Sequence, residues 1–307
     1  MFNRERKAQF LKEKMERATI SNNINDMFTL AEPFEKDYGR DLCEWNSDEI
    51  ITFYKYYSTP NIQTLIIIHN YLSMYTNWCI SNGMVSDNQN HYEEINSLML
   101  CKCVNLNALR KNLFTKEELM SSISEIPNYA DRFLMLGAFE GIPIKDNCMY
   151  NVKLSDIQDG NRLILCNGSS IIISNDLKHI INVAVEETSR YSLTANQKAY
   201  EYEYTDGDRV IRNIKRNCTR ANNTVIIGKR LHTCGDYLGM PSLTFKALSE
   251  SGRMWYISEI ANNKSITVED AIIKHRSKHE KRYGKIQNAI TYLNTYGVLI
   301  RDMYGCE

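Results

Sequence analysis

The chain has 307 residues, 43% hydrophobic and 24% charged, with 37 Lys and Arg against 37 Asp and Glu. This length suits about two domains, and no apolar run approaches the ~18 residues of a membrane-spanning helix. The N-terminus MFNRERKAQFLKEK lacks the apolar region of a signal peptide, and nine cysteines without CxxC spacing support neither a disulfide framework nor a zinc site, so free thiols in a cytoplasmic protein are expected.

Phe2 to Ala18 carries alternating charge and an apolar stripe of Phe10, Leu11 and Met15. It is expected as a first helix, with Arg4, Arg6, Lys7, Lys12 and Lys14 on its surface. Ser21 can cap a second helix ending near Gly39, and Ser47 a third. Pro60 can open a fourth at its first turn. There Leu65, Ile68, Leu72, Tyr75 and Cys79 recur at spacings of three and four, one apolar face stopped at Gly83. Tyr56, Tyr57, Tyr71 and Tyr75 are expected in the core. Val85 to His91 reads as a linker and Tyr92 to Leu113 as a further helix. Residues 1–90 are expected as a helical first domain and 113–307 as a second.

Thr115, Lys116, Glu117 and Glu118 form a capping-box pattern, and helical periodicity continues to Glu140. Within FLMLGAFEG, Gly137 stands among Phe133, Leu134, Leu136, Ala138 and Phe139. A glycine inside a helix costs ~1 kcal/mol relative to alanine, so a buried helix and a close helix–helix approach are expected there. From Asn161 to Ser174 the period changes. RLILC, Asn167-Gly168 and SSIIIS predict a hairpin on a type I′ turn, whose two residues both take positive φ. Tyr200 to Tyr204 reads as an extra strand and the rest of Asp176 to Glu307 as mainly helical. The expected class is mainly α with a small β-element (α+β).

From Arg209 to Gly235 there is no acidic residue, while Arg209, Arg212, Lys215, Arg216, Arg220, Lys229 and Arg230 are present. Arg209, Arg212 and Arg216 are spaced to share one helix face, either a phosphate-contacting face or a solvated one. A second cluster holds Lys274, Arg276, Lys278, Lys281, Arg282 and Lys285. A neutral chain can still present a strongly basic face. His275 and His279 have a metal-capable spacing but no third ligand in view, and no metal is expected.

The stretch YADRFLMLGAFEGIPIKDNCMYNVKLSDI, Tyr129 to Ile157, resembles the first catalytic box of tyrosine recombinases, the phage integrase family. In that family an apolar helix leads into a Gly-Leu-Arg-x-x-Glu turn and a segment ending Ser-Asp-Ile. Here the turn reads Gly141, Ile142, Pro143, Ile144, Lys145, Asp146, and the segment ends Leu154, Ser155, Asp156, Ile157. STPNIQTLIIIHNYLSMYTNWCISNG resembles the last helix of the family's core-binding domain. The second box, His-x-Leu-Arg, matches TFKALSESG, with Lys246 for the histidine, Leu248 for the leucine and Ser249 for the arginine. The third would lie near Tyr283, Gly284 and Lys285. The nucleophile position falls on Asn294, with Tyr292, Tyr296 and Tyr304 nearby.

This resemblance implies a two-domain clamp around double-stranded DNA. It also implies lost chemistry, because the phosphate-clamping arginines fall on Pro143 and Ser249. The hairpin turn, which in the family carries a catalytic lysine, offers only Asn167 and Gly168. Donors are needed where charge builds on the phosphate oxygens, and serine supplies no bidentate guanidinium. Lys246 can still contact a phosphate, whereas Arg253, a turn further on, is not expected to substitute. A tyrosine with pKa near 10 and no clamp is a poor nucleophile. More narrowly, the chain resembles a recombinase-like master repressor of SP-beta-type phages. That implies a non-enzymatic repressor that occupies operator DNA to hold lysogeny, without a cofactor, and open to a phage-encoded anti-repressor. The expected DNA contacts are Arg209, Arg212, Lys215, Arg216, Arg220, Lys229, Arg230, Lys246, Lys281 and Arg282. One rival is a divergent active recombinase using Lys246 and one C-terminal tyrosine. Another is a protein-binding module.

Overall fold

The computed structural model describes residues 2–14, 18–193, 200–215 and 223–306, with no side chains for 18–21, 223–224 and 277–281. It divides into two compact units, Met1–Leu109 with Ile290–Thr295, and Arg110–Ala289 with Tyr296–Glu307. It is mainly helical with two small antiparallel sheets. Met15 of the expected first stripe lies outside the described residues.

Unit 1 is built from α1 (Arg4–Lys14), α2 (Ala18–Tyr38), α3 (Ser47–Tyr57), α4 (Ile62–Ser81), α5 (Ser97–Cys101) and α6 (Leu106–Arg110). The α4 stripe Leu65, Ile68, Leu72, Tyr75 and Cys79 is buried as its spacing requires. Phe10 of α1 meets Tyr75 at 5.1 Å and Trp78 at 5.8 Å between ring centroids. Edge-on ring pairs of this kind add to plain burial.

Several expectations about unit 1 are corrected. Ser21 lies inside α2, not at its start. The cap of α3 is Asn46, whose side chain accepts from Asp48 and Glu49 while Glu49 accepts from the Asn46 N–H. Pro60 does not open α4 at its first turn; it lies two residues before the helix begins at Ile62, and Asn61 caps the helix by accepting the Gln63 N–H. Tyr92 to Leu113 is no single helix. A 3-10 turn at His91–Glu94 ends, Asn96 caps α5, and Asn105 accepts the Ala108 N–H as α6 begins. Short polar side chains that bond their own backbone stop one helix and start another. Lys7 is not on the surface. It is fully buried, with Nζ 2.5 and 2.6 Å from the two Glu35 carboxylate oxygens. Tyr56 is exposed, and Tyr57 and Tyr71 are half-buried.

Unit 2 contains α7 (Lys116–Glu125), α8 (Tyr129–Phe139), β1 (Ile157–Gln158), β2 (Arg162–Ile164), β3 (Ser170–Ile172), α9 (Asn175–Glu186), β4 (Ser189–Tyr191), β5 (Glu201–Glu203), α10 (Asn223–Leu238), α11 (Phe245–Lys264) and α12 (Val268–Tyr283). The Thr115–Glu118 capping box starts α7. Helix α8 is mostly apolar and, apart from the half-buried Tyr129 and Arg132, buried along its length against α7, α9, α10 and α11, as a helix without a broad polar face must be. After α12, α13 (Ala289–Tyr292) leads through a π-helical turn into α14 (Val298–Tyr304).

The predicted hairpin is β2 and β3, with Leu163 opposite Ile171. Its turn is not type I′. Gly168 N–H donates to Leu165 O, Leu165 N–H to Ser169 O, and only Gly168 takes positive φ (80°). The loop is therefore Cys166-Asn167-Gly168, the three-residue form that ends on a left-handed glycine.

Candidate nucleic-acid interface

The stretch after Arg209 does not form the expected helix. Arg209 bridges Lys153, Val210 N–H donates to Val152 O, and Ile214 bridges Tyr204. Lys215 N–H donates to Glu203 O. Backbone groups that a helix would use internally are paired across to other segments, so residues 209–215 form no helix. Arg209 and Arg212 therefore share no helix face, and Arg216 and Arg220 lie outside the described residues.

The expected cations fall into two groups. Arg209, Lys215, Lys229 and Lys246 are exposed, Arg209 lying over the Tyr150 ring at 5.4 Å and Lys215 paired with Glu203 at 2.7 Å. Arg212, Arg230 and Arg282 direct their guanidinium groups into the unit. Arg212 Nη2 donates to Ala184 O at 2.9 Å and Glu187 O at 2.5 Å, closing the carbonyl end of α9, where a cation is favoured. Arg282 Nη2 donates to Ile172 O at 2.5 Å, and its guanidinium lies over Tyr256. Lys281 lies on α12, with its side chain outside the described residues.

Arg230 belongs to a buried polar cluster that charge counting along the chain did not reveal. Its Nε lies 2.6 Å from Asp131 Oδ1, while Arg190 Nη2 lies 3.2 Å from Oδ2 and Asn128 donates to Oδ2 at 2.9 Å. Burial alone would raise the Asp131 pKa, but the charges of Arg230 and Arg190 and these hydrogen bonds hold it below the usual carboxylate value. Glu187 accepts the Tyr129 N–H at 2.7 Å at the start of α8. The signal for this cluster was present in the sequence, because Asp131 is the one acidic residue of a mostly apolar helix.

The turn after α8 sits where the end of that helix meets α11 and α12. Gly252 of α11 lies against α8 so closely that a Cβ there would be 1.6 Å from Phe139 O. This is the close helix approach that was expected at Gly137. At Gly137 a Cβ would instead meet the side-chain ends of Ile142 at 3.2 Å and Met149 at 3.4 Å. Gly141 has φ +82°, and a Cβ would come within 2.1 Å of Arg282 Cγ, so both conformation and space require glycine.

Around this turn, Glu140 accepts from the Ser174 hydroxyl and from Ser174 N–H at 2.9 Å, and burial raises its pKa. Tyr283 OH donates to Phe139 O at 2.8 Å. Arg253 donates to the Tyr283 carbonyl, and to Gly284 O at 3.5 Å. Arg253 therefore fastens the end of α12 to α11. His275 is buried and stacked on Tyr283.

The positions where the resemblance places chemistry can now be read individually. Pro143 is half-buried, with Lys145 exposed beside it. Ser249 is half-buried on α11, and Lys246 is exposed in that helix's first turn, behind its cap Thr244. Tyr292 is buried in the segment that belongs to unit 1, where Cys101 Sγ approaches Thr291 O at 3.9 Å. Tyr296 and Tyr304 belong to unit 2. Burial raises both their pKa values above the ordinary phenol, and Arg253 opposes this only in part at Tyr296.

Family comparisons agree with this architecture. The model of the MrpR N-terminal core-binding domain matches residues 1–81, and that of the MrpR C-terminal catalytic domain matches residues 113–303. No curated protein matches the chain. With both domain models matched in order and most of the sequence covered, the chain belongs to the MrpR family, a two-domain architecture of the tyrosine-recombinase kind.

Proposed function

We propose that this chain is a sequence-specific, double-stranded-DNA-binding repressor that keeps a recombinase scaffold and does not cut DNA. The observation that carries the reading is the pair Pro143 and Ser249, which stand where the family has its phosphate-clamping arginines. The guanidinium groups of Arg253 and Arg282 are bonded to the backbone carbonyls of Tyr283 and Ile172. The exposed Lys246 at the N-terminal turn of α11, with Arg209, Lys215 and Lys229, supplies positive charge for DNA phosphates. Base edges and DNA shape then give the sequence preference. Repression follows from occupancy of operator sites in a phage or prophage genome, in the host cytoplasm. An anti-repressor protein is a reasonable partner for such an occupant.

The test is capture of genomic fragments by the purified chain, sequencing, and gel retardation of the recovered duplex. A few enriched sites, each retarded without loss of any phosphodiester bond, are expected. Absence of salt-dependent affinity for any fragment would favour a protein-binding module instead.

A further inference from the structure

The turn after the first box contains a pair of thiols. Cys148 is buried directly behind the 3-10 turn Lys145–Asn147, and Cys166 is exposed in the β2–β3 loop. Their Sγ atoms lie 3.3 Å apart. The backbone supports the pair from both sides. Cys166 Sγ also donates to Asp146 O at 3.3 Å, and Cys148 N–H donates to Lys145 O at 3.2 Å. Asp146 and Asn147 both take φ of 57°, a left-handed conformation that is uncommon outside glycine. They turn the chain so that Cys148 meets the hairpin. Among the described cysteines, Cys166 alone is exposed.

We propose that Cys148 and Cys166 form a peroxide-responsive dithiol that closes to a reversible intramolecular disulfide. Cys166 is the attacking thiol, because it is the one that solvent reaches. Cys148 keeps its proton, since burial and then the hydrogen bond with Cys166 push its pKa up to about 11. The Cys166 thiolate attacks one oxygen of hydrogen peroxide. The O–O bond breaks, Cys166 becomes a sulfenic acid, and hydroxide leaves and takes the thiol proton as water. Cys148 sulfur then attacks Cys166 sulfur. The S–S bond forms, the S–O bond breaks, and the departing hydroxide takes the Cys148 proton. The two thiols lose two electrons together, and one peroxide becomes two waters. A disulfide of about 2.05 Å requires the sulfurs to close by only ~1.2 Å. The product ties the loop bearing Lys145 to the hairpin turn, and an excess of dithiol reductant reopens it.

The test uses the full chain treated with hydrogen peroxide, capped with N-ethylmaleimide, digested and examined by mass spectrometry. A linked peptide pair containing Cys148 and Cys166, lost on dithiothreitol treatment, is expected. In Cys148→Ser, Cys166 should accumulate as a sulfenic acid trapped by dimedone. In Cys166→Ser, Cys148 should react with peroxide at a rate roughly tenfold or more below that of Cys166 in the wild type. Oxidation of wild-type Cys166 to a dimedone adduct or sulfinic acid with no link to Cys148 overturns the proposal. So does a disulfide joining either residue to a different cysteine. Because the wild-type chain carries the decisive measurement, a variant that fails to fold does not obscure the answer.

Discussion

At the scale of single residues, Gly252 of α11 and Gly137 of α8 make opposite predictions. Gly252→Ala forces a methyl group onto the Phe139 carbonyl, an atom of helix backbone that cannot rotate away. Overpacking costs roughly 1–3 kcal/mol or somewhat more, so a clear drop in the thermal midpoint is expected. Gly137→Ala meets the flexible ends of Ile142 and Met149, with the Phe133 ring at an ordinary contact distance of 3.6 Å, and gains up to ~1 kcal/mol in helix propensity, so its midpoint should stay close to wild type. Gly137→Glu differs, because it buries a carboxylate without a partner, and should melt well below both the wild type and Gly137→Ala. Equal midpoints for Gly252→Ala and wild type would refute the close approach. Burial of Gly137 was legible from its apolar neighbours. The identity of the close-contact glycine was not, since a sequence gives no distance between helices.

The Asp131 carboxylate predicts a pH effect. Its folded pKa lies below the unfolded value, so it stabilises the fold above the ordinary Asp pKa of ~3.9. That contribution is lost as pH falls through the folded value. Asp131→Asn leaves Arg230 and Arg190 facing no charge and should lower stability at neutral pH by roughly 3–5 kcal/mol. The gap between variant and wild type should narrow as pH falls below ~4. A pH-independent gap in urea titrations would mean that the pairing is not what Asp131 contributes. Lys7 shows the same limit from the other side. A lysine among alternating charges reads as surface, and only the placement of Glu35 on another helix gives it a buried partner.

At the scale of elements, local rules were legible wherever the backbone answers to its own neighbours. The Thr115–Glu118 box, the α4 stripe and the Asn167-Gly168 hairpin signal all correspond to observed elements. The reading failed where partners are remote. Arg209, Arg212 and Arg216 have helical spacing, yet pairing with Val152, Glu203 and Tyr204 keeps residues 209–215 out of a helix. The choice of cap also needed geometry, because Asn46 and Ser47 are adjacent and both can cap. Asn46→Ala should cost ~1 kcal/mol, read as a shift in the urea midpoint; no shift would remove the capping role. Arg212→Ala should cost up to ~2 kcal/mol by uncovering the end of α9. Its effect on DNA affinity should disappear once the folded fraction is taken into account.

For the whole molecule, the order of domains was legible because the first-box resemblance and the helices before it occur in sequence, and both MrpR domain models match. The proposed DNA face was less legible, because arginines that satisfy buried carbonyls look identical in sequence to exposed arginines. Exposed cations are the ones that should register in salt dependence. Double replacement of Arg209 and Lys246 by Ala should reduce the slope of log affinity against log salt by about 0.9 for each phosphate that is no longer neutralised. An unchanged slope with unchanged affinity would assign these residues to a solvated face.

The central claim is binding without strand cleavage, and it is tested most directly with nicked suicide substrates made from the retarded duplex. In an active recombinase such a substrate traps the tyrosine–phosphate intermediate, because the freed strand end diffuses away. Denaturing gels should show the protein and every DNA strand migrating separately, although the native complex forms in full. A covalent adduct that disappears when Tyr292, Tyr296 or Tyr304 is changed to Phe would contradict the account and identify a working recombinase.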